Sequence, residues 1–229
     1  YQFYRQWNAL RQYAKEKGIA ILGDVPIYVP LDSCEVWCNP ELFQLDENLT
    51  PTAVAGCPPD AFSDEGQLWG NPLYRWERHK ANGYSWWIRR LSAAGRLYDG
   101  VRLDHFRGFE SYWAVPYGDE TAKNGKWEKG PGLDFIKAME KALPEMSFVA
   151  EDLGLLTPEV LQLRADSGLP GMKVLQFASD SLEPPAYLPS LPVTHAVSYT
   201  RTPYPLPPTH RLWGTPEEAV ADHRTYIPL

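Results

Sequence analysis

Gly-Val-Arg-Leu-Asp (100–104) and Ser-Phe-Val-Ala-Glu (147–151) are built alike: each is a short apolar run that closes on a carboxylate, Asp104 in the first and Glu151 in the second. Helical periodicity precedes both. Trp87, Ile88 and Leu91 fall on one side of a helix expected over 84–97, and Phe135, Ile136 and Met139 do the same over 133–143. A helix leading into a strand, repeated, predicts parallel strands joined by helical crossovers. In parallel α/β barrels the active site is built beyond the strand C-termini, so carboxylates on consecutive tips converge over one opening. A carboxyl pair placed there can serve as nucleophile and acid/base in glycosyl transfer.

The same rhythm extends outward. Phe3, Trp7, Leu10 and Ala14 are spaced as one helical face, so a helix is expected from residue 2 to Gly18. Ile19-Ala-Ile-Leu22 then reads as a parallel strand buried on both faces, with Asp24 at its tip. Downstream, Thr157-Pro158-Glu159 supplies an N-cap, a proline for the first helical position and an acidic first turn, opening a helix that closes near Gly168. Strands are expected over 172–177 and 196–199, making about five in all. The stretch 25–83, rich in Pro, Trp, Asn and Gly, is too long for a βα loop and is expected to be an inserted subdomain on the active-site face. A shorter insertion, 107–132, carries Tyr112, Trp113, Tyr117 and Trp127. Aromatic rings on such loops can stack on the apolar face of a sugar; for any single Trp, packing within the loop is the simpler fate.

Composition narrows the classes. The 229 residues can bury one sizeable core, and a formal charge of −7 with scattered cations argues against a nucleic-acid or anionic-membrane surface. A neutral substrate fits better. No apolar run approaches the roughly 18 residues of a membrane span, and a cytoplasmic location is the default expectation. Cys34, Cys38 and Cys57 are odd in number, without a His or Cys partner set; no metal or cofactor is expected, and Cys34 and Cys38 read as small buried residues. His79, His195, His210 and His223 belong to no motif and read as surface or packing residues. The chain opens without Met on a helical stripe and reads as an internal piece of a single domain.

Several longer motifs stand in order: Gly23-Asp-Val-Pro-Ile-Tyr-Val29, Val54-Ala-Gly-Cys-Pro-Pro-Asp60, Gly66-Gln-Leu-Trp-Gly-Asn-Pro-Leu-Tyr74, Val101-Arg-Leu-Asp-His-Phe-Arg-Gly-Phe109, Ala150-Glu-Asp-Leu-Gly154 and Pro170-Gly-Met-Lys-Val-Leu-Gln-Phe177. Together the sequence resembles the 4-α-glucanotransferases (amylomaltases or disproportionating enzymes) of the α-amylase clan, over nearly all of residues 1–200. The resemblance implies a partial TIM (β/α)8 barrel, from about the third strand to the seventh, with the insert after Asp24. It also implies retaining transfer of α-1,4-glucan segments between maltooligosaccharides. Asp104 would be the nucleophile and Glu151 the acid and then the base. Arg102 would keep Asp104 ionised, and burial beside Asp104 would raise Glu151. His105 would bond sugar hydroxyls, Asp24, Gln67, Trp69 and Asp152 would contact substrate, with Trp69 as the stacking platform, and Asn71 and Pro72 would hold the loop.

The family's third carboxylate, in a Thr-Gly-Thr-His-Asp-Asn-Asp run after the seventh strand, has no counterpart: Ala196-Val-Ser-Tyr199 runs into Thr-Arg-Thr-Pro-Tyr-Pro-Leu-Pro-Pro-Thr-His210. Resemblance resumes at Trp213 and Thr215-Pro-Glu-Glu218. A hydrolase of the same clan, and an inactive glucan-binding piece or product of a decayed gene, therefore stand as alternatives.

Overall fold

Helix α1 (Gln2–Glu16) ends in a turn at Gly18, whose φ of +71° suits glycine. This opens a computed structural model that describes residues 1–60, 63–154, 156–174 and 196–199. The expected stripe of α1 is covered only in part. Ala14 is buried and the Trp7 indole donates to the Leu97 carbonyl at 2.8 Å, whereas Phe3 and Leu10 are exposed. β1 (Leu22–Val25) begins three residues later than expected, and Asp24 lies inside it rather than at its tip. Gly23 and Val25 are buried while Leu22 and Asp24 are exposed, so this strand alternates instead of being buried on both faces.

The stretch 25–83 forms α2 (Cys34–Cys38), a 3₁₀ turn Pro40–Leu42, β2 (Ala53–Cys57), β3 (Gln67–Pro72) and α3 (Trp76–Ala81). Contrary to expectation, Cys34 and Cys38 are exposed, because α2 turns Val36 inward and its cysteines outward. α4 (Ser85–Gly95) then leads into β4 (Gly100–Leu103). β5 (Ser111–Pro116), β6 (Lys126–Lys129), α5 (Gly132–Ala142), β7 (Ser147–Ala150) and α6 (Pro158–Ser167) follow. α6 has Thr157 at its N-cap and a left-handed Gly168 at its end, as its sequence signals require.

β1, β4 and β7 form a parallel sheet with β4 in the centre, Asp24 opposite Arg102 and Leu103 opposite Ala150. A second sheet, antiparallel, has the order β3-β2-β5-β6, with Ala55 opposite Ala114 and Trp113 opposite Trp127. It draws two strands from 25–83 and two from 107–132, so these two stretches are knit into one structure. Gly66 makes the turn into β3 possible: φ is +69°, and a Cβ there would lie 2.4 Å from the Cys57 carbonyl oxygen.

Most of the core of residues 1–169 is one cluster, with a smaller one of Val54, Val115 and Ala122 beside Trp113. Val101, Leu103 and Ala150 of the parallel sheet belong to the same buried cluster as Phe43, Leu73 and Tyr74 of the 25–83 stretch. Trp87 and Leu91 of α4 meet Phe135, Ile136 and Met139 of α5, with the Phe109 and Phe135 rings stacked at 4.9 Å. Each such side chain contributes about 1.5–3 kcal/mol by leaving water. In a unit separate from residues 1–169, β8 (Gly171–Val174) pairs in parallel with β9 (Ala196–Tyr199). The expected strand over 172–177 thus starts one residue early; positions 175–177, the 200–210 stretch, Trp213, 215–218 and His195, His210 and His223 lie outside the described residues. Among the described residues no helix is long and apolar enough to cross a membrane.

Candidate active site

The ladder of the parallel sheet continues past the strand ends. Asp104 N–H donates to the Val25 carbonyl and Glu151 N–H to that of Leu103, each at 3.1 Å, so the two carboxylates occupy equivalent positions on neighbouring tips. Their environments differ. Arg102, two residues before Asp104 and on the same face, forks between Asp24 and Asp104 at 2.7 Å each. Burial pushes the Asp104 carboxyl above the usual carboxylate range, and Arg102 pulls against that rise.

Among the described residues, Glu151 pairs with no cation in this way. Its carboxylate accepts from the backbone N–H of His105 at 2.9 Å and of Leu153 at 3.1 Å. Burial first, and Asp104 second, push its pKa up to about 7. Two carboxyl groups on adjacent tips therefore differ in partner: one is bonded to a guanidinium, the other is able to hold a proton near pH 7.

The backbone between them is bent to suit. His105 has φ of +51°, uncommon for a residue with a Cβ, and that turn aims its N–H at Glu151 while Phe106 N–H donates to the Glu151 carbonyl at 3.1 Å. Gly108 allows the turn to close: a Cβ there would be 2.6 Å from Ile27 Cδ1 and 3.0 Å from the His105 ring. Burial, reinforced by Arg107, lowers His105 to about 4, so its imidazole is neutral at neutral pH.

The His105 ring meets Trp69 at a centroid distance of 4.8 Å and an interplanar angle of 86°, and Trp69 Nε1 donates to the Gln67 amide oxygen at 3.1 Å. The tip of β3 is thereby joined to the carboxylate cluster. Asp24, Arg102, Asp104, His105, Glu151, Trp69 and Gln67 form one chain of contacts. Asp152 stands apart: its carboxylate is buried and faces Arg164 Nε of α6 at 3.2 Å. Of the aromatic residues in 107–132, Tyr112 is buried, donating to Glu128 at 2.9 Å, while the Trp127 ring lies 3.9 Å from the Arg107 guanidinium. Sequence reasoning passed over Tyr28, which packs against Trp69; its only signal was membership of the Gly23–Val29 run. Among the described residues, no three His, Cys, Asp or Glu side chains stand together as a metal site would require.

Comparison with known proteins shows the family. The family model described as 4-alpha-glucanotransferase matches residues 1–224. The chain belongs to that family. A 4-alpha-glucanotransferase of Aquifex aeolicus is 52% identical over 206 residues, which are 90% of this chain and 42% of that protein. One from Streptococcus pneumoniae is 50% identical over 202 residues, 88% of this chain and 40% of its own length. The chain thus spans about two fifths of these glucanotransferases. Among solved structures, amylomaltase from Streptococcus agalactiae in complex with acarbose matches with a TM-score of 0.83 and 38% identity, over 99% of this chain and 46% of that one. The α/β fold described above is that of an amylomaltase.

Proposed function

We propose that the protein to which this chain contributes transfers α-1,4-glucan segments from one maltooligosaccharide to the 4-hydroxyl of another by a retaining double displacement. The observation that carries the reading is the asymmetry of the carboxylate pair. Asp104, bonded to Arg102, is suited to attack the anomeric carbon as an anion. Glu151, raised to about 7, is suited to protonate the departing glycosidic oxygen. Once deprotonated it can accept the proton of the incoming hydroxyl, so acid and base are one residue acting in turn. Arg102 holds the nucleophile, while His105, Gln67 and Trp69 offer a neutral imidazole, an amide and a half-buried indole to a sugar. Asp24 acts on this reading by fixing Arg102 as well as by its exposed carboxylate; the role of Asp152 is at the edge of the site, held by Arg164.

In the same proposal the α/β fold is part of a (β/α)8 barrel into which 25–83 is inserted, the substrate is a neutral glucan rather than nucleic acid or membrane, and the setting is the cytoplasm. The test is the product pattern from maltotriose. Glucose together with oligosaccharides longer than the substrate is expected. Glucose and maltose without longer products would replace transfer with hydrolysis. A second reading, an inactive glucan-binding form, is favoured by the sequence after Tyr199, which lacks the family's His-Asp pair. Absence of any product, with activity appearing when a His-Asp-Asn sequence is installed at 200–210, would establish it.

A further inference from the structure

Tyr28 follows β1 in the loop that begins at Pro26 and packs against the Trp69 indole, ring centroids 6.2 Å apart and planes tilted by 52°. It also stacks on Tyr74 at 5.9 Å and 18°. Only 8% of its surface is exposed, so its ring is fixed from more than one side. Its hydroxyl is treated differently from those of neighbouring tyrosines. Tyr74 donates to the Ile27 carbonyl at 2.7 Å, Tyr84 to Asp134 at 2.8 Å and Tyr112 to Glu128 at 2.9 Å. The Tyr28 hydroxyl has no hydrogen-bond partner among the described residues. Nor is it one of the sealed, unpartnered polar atoms such as Trp87 Nε1, so it still reaches solvent. A buried tyrosine ordinarily bonds its hydroxyl, and one held rigidly with that group open beside a stacking platform is ready to meet a ligand.

We infer that Tyr28 is a further glucan-contacting residue, its phenol hydroxyl hydrogen-bonding a hydroxyl of the sugar ring seated against Trp69. The inference rests on the reading of Trp69 as a sugar platform. Burial, with Tyr74, Tyr112 and Cys57 nearby, holds the Tyr28 phenol protonated far above neutral pH, so the group remains a donor at any working pH. Cys57 pairs with Gln67 across the β2–β3 ladder, which brings the Tyr28 surroundings to the strand that carries Trp69. A site that bonds a substrate hydroxyl discriminates against an analogue lacking it, so Tyr28 acts in specificity rather than in bond cleavage.

The test compares the intact protein with Tyr28→Phe, using maltotriose and a set of singly deoxygenated maltotriosides as probes. Tyr28→Phe should raise KM for maltotriose about three- to tenfold with kcat within about twofold, the range of one neutral hydrogen bond. One deoxy analogue should lose the same factor with the wild type and nothing further with the variant. The melting temperature without ligand should be unchanged, since no partner in the protein is lost. Equal KM for the two proteins overturns the inference, and so does a clear drop in melting temperature, which would reveal a structural bond to that hydroxyl. Quenching of tryptophan fluorescence by maltotriose separates the two levels of the argument. If the wild type binds without transferring, the reaction proposed above fails while the ratio of dissociation constants still decides Tyr28. If it neither binds nor transfers, both fall.

Discussion

Glu151 and His79 are both driven toward their neutral forms by burial, yet they sit in regions of opposite character. Glu151 lies at the strand tips, where two backbone N–H groups bond its carboxylate, Asp104 and Arg102 are within electrostatic reach, and its pKa is pushed up to about 7. His79 is wholly enclosed by Tyr74, Trp76 and Trp86, and its pKa is pushed down to about 4. Neither of its ring nitrogens completes a hydrogen bond, although a backbone group of Leu42 pulls slightly the other way. Burial alone thus produces a perturbed group in both places. What distinguishes the strand tips as the candidate site is that burial there coincides with a second charge and with donors for the ionised form.

The sharpest way to break this comparison is to remove the ionisable group from each region. Asp104→Asn and Glu151→Gln should each lower the transfer rate by roughly a thousandfold or more while leaving the melting temperature near that of wild type, since Asn and Gln keep the size of the side chain. His79→Leu should keep the rate within a few-fold. Steady-state rates with maltotriose, measured beside thermal unfolding, decide it. Loss of rate in His79→Leu without loss of fold would show that the aromatic core feeds the site after all.

Stability against pH gives the next largest contrast. His79 titrates near 4 in the fold and near 6.5 when unfolded, so on acidification the unfolded chain takes the proton first. Stability is therefore lost as pH falls through the window from 6.5 to 4, by roughly 3 kcal/mol at most. Glu151 has the opposite sign: its value is raised from 4.5 to about 7, so its contribution is present below 4.5 and lost as pH rises toward 7. The two contributions nearly offset between pH 7 and pH 4.5, so denaturant unfolding should find wild type little changed on acidification while His79→Leu gains stability. An equal change in both proteins would place the acid sensitivity elsewhere than at His79.

Much of this contrast was legible in the sequence. The carboxylates of 100–104 and 147–151 announced themselves because a short apolar run closed by a carboxylate is a local signal, and α4, α5 and α6 lie within a residue or two of their expected bounds. β1 was misplaced because Ile19-Ala-Ile-Leu22 is apolar without regard to where hydrogen bonds form; pairing with β4 begins only at Leu22. The joining of 25–83 to 107–132 through Ala53–Gly56 and Trp113–Pro116 was invisible, since antiparallel register between distant segments leaves no periodic mark in either. The orphaned nitrogens of His79 and the free hydroxyl of Tyr28 are facts about three-dimensional neighbours, and no motif records them.

Arg102 offers a finer probe of the tip region. Replacing it with Met leaves Asp24 and Asp104 without their shared guanidinium, so the Asp104 pKa should climb further, and that of Glu151 with it. Both limbs of the pH–rate profile should move to higher pH, and the rate at pH 6 should fall by about ten- to a hundredfold. Arg102→Lys should restore little, because an ammonium cannot present two parallel donors to two carboxylates as the fork does. A Lys variant with a wild-type profile would mean that charge, and not bidentate geometry, is what Asp104 needs.

The smallest expected effect is the one that isolates burial as the amplifier. Asp99 has the same kinds of partner as Asp104 and Glu151: a backbone N–H, from Ile21 at 2.8 Å, and an arginine, Arg11, at 2.7 Å. The Ile21 N–H bond first and Arg11 second hold its carboxyl below the usual range, the reverse of the rise at Asp104. The difference is water: the Asp99 side chain is 41% exposed, and solvent screens the pair. Its depressed pKa makes a contribution that is present above the ordinary carboxylate range and lost as pH falls through the folded value. Asp99→Asn should therefore cost under about 1 kcal/mol at pH 7, less still in high salt, and leave the transfer rate unchanged. Denaturant unfolding at two salt concentrations measures it. A cost as large as that of a buried pair, or one insensitive to salt, would show that the α1 contact with residues 96–99 is dry in solution, and the contrast between surface and strand tip would have to be redrawn.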